Sequence, residues 1–232
     1  MKNYFLLLLC CIPFIGKSQS VDPKKSINKI NEKFSKVADY KADVAMQFGI
    51  PNVKISNINA TVLYKNPNKF KMKAKGLFFL PKQNPMQNVM NTLKDTANYQ
   101  AIYSGKALVN GTNCIIVNII PIKPMGDLVL GKFWIDDVKN LIVKSEITTK
   151  NNGTVATENK FGANAIYALP DEIKINMDVN KFKIPKMLAL DINKKKKVDP
   201  NPNNKKESAC ITLHFTNYII NQKIEDREFT TD

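Results

Sequence analysis

Apolar and polar residues alternate with a period of two along much of this chain, and that pattern constrains the fold more than any other feature. In Phe70-Lys71-Met72-Lys73-Ala74-Lys75 the apolar residues fall on one side and lysines on the other. Ile173, Ile175, Met177 and Val179 alternate in the same way with Lys174, Asn176, Asp178 and Asn180. Ile211, Leu213 and Phe215 alternate with Thr212, His214 and Thr216. Successive side chains of a strand point to opposite faces, so each run predicts a strand with one dry and one wet face. Asn110-Gly111 and Asn152-Gly153 are hairpin dipeptides lying between such runs, and Gly105 and the 137–140 stretch read as further turns. The prediction is about ten antiparallel strands, with no βαβ rhythm.

Four stretches depart from this pattern. Asp22 and Pro23 form an N-cap and first-turn pair, after which Ile27, Ile30, Phe34 and Val37 recur at helical spacing. This predicts an amphipathic helix laid on an apolar surface. The strand 114–120, Cys-Ile-Ile-Val-Asn-Ile-Ile, is apolar on both sides and must be covered on both or reach a cavity. Leu77 to Pro81 reads as an apolar loop leading into a short helix bearing Met86, Val89, Met90 and Leu93. Methionine suits surfaces that accept variable apolar partners, although such a stripe also serves as ordinary core. Finally, Ile184 to Lys206 carries Pro185, Pro200, Pro202 and the run Lys194, Lys195, Lys196, Lys197. It reads as a long connection, either solvated or in contact with a membrane or an acidic partner.

The N-terminus has the composition of an export signal. Lys2 precedes an apolar run from Tyr4 to Ile15, and small residues at Gly16 and Ser18 place cleavage after residue 18. Residues 1–18 are thus expected to be a signal peptide and residues 19–232 a single domain, targeted to the periplasm. Cys10 and Cys11 leave a second option, a lipid-tethered outer-membrane lipoprotein, but Leu9 is a poor residue before a lipidated cysteine. The formal charge is +15; Lys2 and Lys17 carry two of these, which leaves +13 on residues 19–232. An exported basic protein meets membrane surface or acidic protein rather than nucleic acid. Cys114 and Cys210 both fall in predicted strands and are candidates to pair in an oxidising compartment.

Catalytic chemistry is sparsely represented, and no enzyme is expected. His214 is the only histidine and lies on the polar side of its strand. No metal-site spacing, nucleophile elbow or phosphate loop occurs, so no catalytic residue, metal or cofactor is expected. Asp136-Asp137 and Asp171-Glu172 fall at strand ends, where turn chemistry explains them. Apolar side chains are abundant by contrast, with 12 Phe, 7 Tyr and 8 Met. Two helices cannot cover the apolar face of about ten strands, so the remainder is either packed shut or left as a cavity. Composition does not choose between these.

The order of motifs resembles the LolA family of outer-membrane lipoprotein carriers. The resemblance is carried by the first helix ending in Val37-Ala38-Asp39-Tyr40-Lys41-Ala42, and by Tyr64 to Met72 with its Asn66-Pro67 step. Phe133-Trp134-Ile135-Asp136, Ala168-Leu169-Pro170 and Tyr218 to Asn221 continue it to the closing stretch near Phe229. It implies a mainly β fold: a curved antiparallel half-barrel of about eleven strands with a lid of short helices. It also implies an apolar cleft that holds lipoprotein acyl chains or another lipid, with an inner-membrane release complex, an outer-membrane acceptor and transient contact with the membrane surface as partners. The expected lining is Phe70, Met72, Phe79, Met86, Met90, Trp134, Ile175 and Met177, with Val117 and Ile119 next in rank. Family members carry an arginine latch where this chain has Asn66, so the usual lid control is not carried over. Rival readings on the same fold are an envelope sensor or protein-interaction domain, and a membrane-tethered lipidated acceptor.

Overall fold

The computed structural model describes residues 21–51, 55–74, 89–90, 93–94, 96–151, 153–178 and 208–230. Helix α1 spans Pro23–Ser35. It starts where sequence places it, because the Asp22 carboxylate accepts the Lys24 N–H at 2.9 Å and Pro23 needs no partner for its nitrogen. Strands β1 (Asp39–Gly49), β2 (Ile58–Lys65) and β3 (Lys69–Ala74) follow. Then come β4 (Tyr99–Val109), β5 (Thr112–Pro121), β6 (Leu128–Asp136), β7 (Ile142–Thr149) and β8 (Gly153–Lys160). β9 (Glu172–Asp178) and β10 (Ser208–Ile220) complete the described strands, and short 3-10 turns cover Ala163–Tyr167 and Asp226–Phe229.

All ten strands join one antiparallel sheet in the order β3-β2-β1-β10-β9-β8-β7-β6-β5-β4. β3 and β4 are its outer strands, so the sheet is open rather than closed into a barrel. Chain-adjacent strands are neighbours except β3 and β4, which lie at opposite edges; β1 instead pairs with β10, a long-range pairing that joins early and late segments of the domain. Turn chemistry sets several registers. Asn110 and Gly111 both have positive φ, 48° and 78°, the backbone that a two-residue hairpin between β4 and β5 requires. Gly105 is not a turn, contrary to expectation. It lies inside β4 with φ 104°, where the register with β5 shifts between Tyr103 and Lys106, and so acts as a bulge residue.

The sheet has one concave, dry face. Ile27, Ile30, Phe34 and Val37 of α1 and its exit are buried against it, together with Val44, Val62, Tyr64, Val117, Ile119, Phe133 and Ile135. Aromatic rings link the helix to the sheet: Phe34 to Tyr64 at 5.8 Å, Tyr64 to Tyr40 at 5.2 Å, Tyr40 to Tyr218 at 5.6 Å and Tyr218 to Phe215 at 6.0 Å. This chain of rings runs from α1 across β2 and β1 to β10. The Tyr218 hydroxyl donates to the Pro170 carbonyl at 2.8 Å, so its polar tip is satisfied; burial, then Tyr40 and Asp171, hold its pKa far above the usual phenol range. Near the far edge, Asn31 of α1 donates to the Leu93 carbonyl at 3.0 Å, and the Tyr99 hydroxyl donates to the same oxygen at 2.8 Å.

The strand predicted to be apolar on both sides is so. In β5, Ile115, Val117 and Ile119 enter the main core, while Cys114 and Ile116 pack on the opposite face with Trp134 and Val143. Because α1 joins the sheet through Phe34, truncating this ring should leave a hole rather than a wet surface. Phe34→Ala is expected to lower unfolding free energy by about 3 kcal/mol, measured by urea denaturation, whereas a loss under about 1 kcal/mol would show that the helix is not integral to the core.

Candidate functional site

The expected lining residues distribute unequally over the structure. Phe70 and Met72 on β3, Ile175 and Met177 on β9, and Met90 all pack in or against the concave core. Val117 and Ile119 are fully buried there. Phe79, Met86, Lys194, Lys195, Lys196, Lys197 and residues 1–18, expected to be a signal peptide, lie outside the described residues, as do Asn152, residues 184–206 and both N-terminal cysteines.

Trp134 requires a correction. It sits between Phe133 and Ile135, whose side chains are in the concave core, so strand alternation sends its indole to the convex face. There Lys132 and Lys144 place their ammonium groups 4.7 and 4.5 Å from the ring centroid. It belongs to a small convex cluster with Cys114 and Val143.

The concave residues do not form one compact patch. Met72 lies opposite Val62, which pairs with Ala42, at the α1 end of the face. Met177 lies opposite Ala209 and Val155, beyond the level of Phe48 at the other end of β1. At that second end a transverse row forms: Ala209, Met177, Val155, Ile147, Gly131, Ile119 and Ala101 pair successively across seven strands. Met177, Val155 and Ile147 in this row are only partly buried, so they form an apolar margin to the core. Beside them the Ser145 and Thr157 hydroxyls bond each other at 2.7 Å, which satisfies two polar groups on this largely apolar face. Val155 and Ile147 were missed from sequence. Their strands mix Thr and Glu with the apolar residues, and only the register with Met177 reveals them.

Polar chemistry at the strand ends is structural. Asp136 accepts the Val138 and Lys139 N–H groups at 2.9 and 2.7 Å, closing the β6–β7 turn. His214 faces outward, 3.2 Å from Glu172, which also pairs with Lys160 at 2.8 Å. Among the described residues no group of three or more His, Cys, Asp or Glu could hold a metal ion.

The expected disulfide is absent, since Cys114 and Cys210 are both free. They sit on β5 and β10 with β6 to β9 between them, five strand spacings or roughly 24 Å, where a bridge spans at most about 7 Å between Cα atoms. Burial, reinforced by the Asp136 and Asp137 carboxylates, pushes the Cys114 thiol up to about 11. At pH 8 only about a thousandth of Cys114 is then thiolate, the reactive form. Iodoacetamide should therefore label Cys114 about a hundredfold more slowly in the folded protein than after unfolding, with no reductant needed for full labelling of both thiols. Rapid labelling of native Cys114 would contradict this environment.

The convex face carries a feature that composition did not disclose. Lys65, Lys69, Lys71 and Lys73 all point outward from the β2–β3 hairpin, and the closing 3-10 turn lies over them. Asp226 takes Lys65 and Lys69, each at 2.7 Å, and Glu228 takes Lys73 at 2.6 Å. Lys65 also donates to the Ile224 carbonyl at 2.7 Å, and Lys71 to that of Thr230. These lysines, chiefly through hydrogen bonds from Lys65 and Lys69, lower Asp226 from 3.8 to about 2; Lys73 lowers Glu228 likewise. A depressed carboxylate favours docking when ionised, so the contribution is complete above about pH 4 and lost as pH falls toward 2. An NMR titration of the Asp226 carboxyl carbon should show a midpoint near 2 that returns to the ordinary range in Lys65→Gln/Lys69→Gln; an ordinary midpoint in the native chain would refute the docked tail.

No family model matches the chain, and no curated protein matches it by sequence. Solved structures do. A LolA superfamily protein from Nitrosomonas europaea aligns with TM-score 0.55 at 11% identity, covering 91% of this chain and 99% of its own. A DUF1329 family protein from Desulfovibrio piger aligns with TM-score 0.55 at 10% identity, over 90% and 98% of the two chains. A putative outer membrane lipoprotein-sorting protein domain from Vibrio parahaemolyticus gives 0.52 at 9% identity, over 90% and 97%. The chain therefore has the LolA-like fold: mainly β, one open antiparallel sheet with a helix on its concave face. The resemblance carried by the sequence motifs is met at the level of fold, with ten strands among the described residues where about eleven were expected.

Proposed function

We propose that this chain is a periplasmic carrier that binds the acyl chains of lipoproteins, or another lipid, on its concave apolar face. The observation that supports this most directly is the partly buried row of Met177, Val155 and Ile147 on an open sheet. Such a margin is costly to expose, at about 25 cal/mol per Å² of apolar surface, unless something covers it. A carrier must bury acyl chains, worth about 0.8 kcal/mol per CH₂, and still let them go, which suits an apolar surface without strong polar anchors. The likeness to a putative outer-membrane lipoprotein-sorting domain is consistent with that role. On this reading residues 1–18 direct export and no catalytic step is involved. An inner-membrane release complex would load the carrier, and an outer-membrane acceptor would receive the lipid.

The direct test is binding of a fluorescent fatty acid to delipidated protein. Met177→Glu and Val155→Glu place a carboxylate on the proposed acyl surface and should each weaken binding by about tenfold or more, with the circular dichroism spectrum retained. Absence of binding by the native chain, or unchanged affinity in both variants, would overturn the proposal.

A further inference from the structure

The closing tail grips the β2–β3 hairpin through individual carboxylates and carbonyls, and the surface beneath it extends beyond the tail. From Ile224 to Thr230 the tail runs over Lys65 and Lys69 at the turn end of β3, then over Lys71 and Lys73. Lys73 is also part of the wall of an open groove of about 750 Å³, whose lining mixes polar residues such as Asp43, Asn59 and Thr216 with apolar ones such as Val44 and Ala60. The groove floor includes a transverse row in which Thr216, Asp43, Thr61 and Lys73 pair successively across β10, β1, β2 and β3. Asp43 accepts from Thr61 at 3.3 Å and from Asn217 at 2.9 Å, and its negative charge marks the acidic limit of the groove. The row of cations under the tail therefore adjoins this groove at Lys73.

We infer that this lysine row and the adjoining groove form a docking surface for a short acidic segment of a partner protein, and that the closing tail occupies part of it as an internal competitor. Three features favour a peptide. The tail shows what the row recognises: carboxylates two residues apart, at Asp226 and Glu228, flanked by carbonyl acceptors. Its ion pairs are exposed, with 64% of the Asp226 side chain and 47% of the Glu228 side chain accessible, so water and salt weaken them and exchange is cheap. Four cations on one side of the β2–β3 hairpin also give charge complementarity that steers an acidic partner. The inference does not depend on the lipid-carrier reading, because the row lies on the face opposite Phe70 and Met72.

The test uses the chain of residues 19–232 and a fluorescein-labelled peptide of residues 222–232, with fluorescence anisotropy at low salt. Asp226→Asn/Glu228→Gln removes the internal competitor and should bind the peptide about tenfold more tightly than the unaltered chain. Adding Lys69→Gln/Lys73→Gln should abolish that gain, while a peptide carrying Asp226→Asn and Glu228→Gln should gain nothing from tail neutralisation. These are surface changes, and urea denaturation of each variant checks that the sheet is intact. Equal affinity before and after tail neutralisation overturns the inference. So does capture of the tail-neutralised protein by vesicles containing anionic phospholipid but not by the peptide, which would make the row a membrane contact instead.

Discussion

Everything in this domain depends on the contact between α1 and the concave face of an open sheet. An open antiparallel sheet with one apolar face cannot stand in water alone, and α1, together with the buried Val89, Met90 and Leu93, covers it among the described residues. Ile27, Ile30 and Phe34 supply that cover, and the ring chain from Phe34 through Tyr64 and Tyr40 to Tyr218 distributes it over three strands. The same strands contain the β1–β10 pairing, which brings early and late segments of the described chain together. Buried Asp39 at the start of β1 tightens this junction by accepting the Gln222 N–H at 2.9 Å and the Ile224 N–H at 3.3 Å. The helix, the junction and the approach of the tail are therefore one mechanical unit.

That unit makes the two faces of the sheet chemically different. On the concave side, apolar rows run from strand to strand and leave a partly buried margin at Met177, Val155 and Ile147, the surface proposed to take a lipid. On the convex side, lysines of β2 and β3 meet an acidic tail, and Trp134 is flanked by two more lysines. Strand alternation places both chemistries on the same short segment: Phe70 and Met72 face inward while Lys69, Lys71 and Lys73 face outward. An apolar ligand and an acidic protein segment could then engage opposite sides of one outer strand without competing for side chains.

The strands were legible because their burial pattern has period two and their turns carry Asn-Gly, whose left-handed backbone is uncommon for other residues. α1 was legible because its cap and stripe agree. Less was legible at the site. Trp134 was misassigned because a strand apolar at three consecutive positions, Phe133-Trp134-Ile135, does not declare which residue faces which side. Cys114 and Cys210 suggested a bridge because sequence carries no information on how many strands separate them. Val155 and Ile147 were invisible until pairing aligned them with Met177.

Sequence by itself determined the β class, the helix at the start and the alternation that gives each strand a dry and a wet side. These follow from local sterics and from the transfer of side chains out of water, both of which act over a few residues. Tertiary structure alone decided which dry side chains share a row, that the two thiols stay apart and that Asp226 and Glu228 return to neutralise lysines about 160 residues earlier. Those outcomes depend on strand order and register, which are set by long-range pairing and have no signature within any one segment. The basic row of Lys71 and Lys73, alternating with Phe70 and Met72, is visible in the sequence; its occupation by the acidic tail is not.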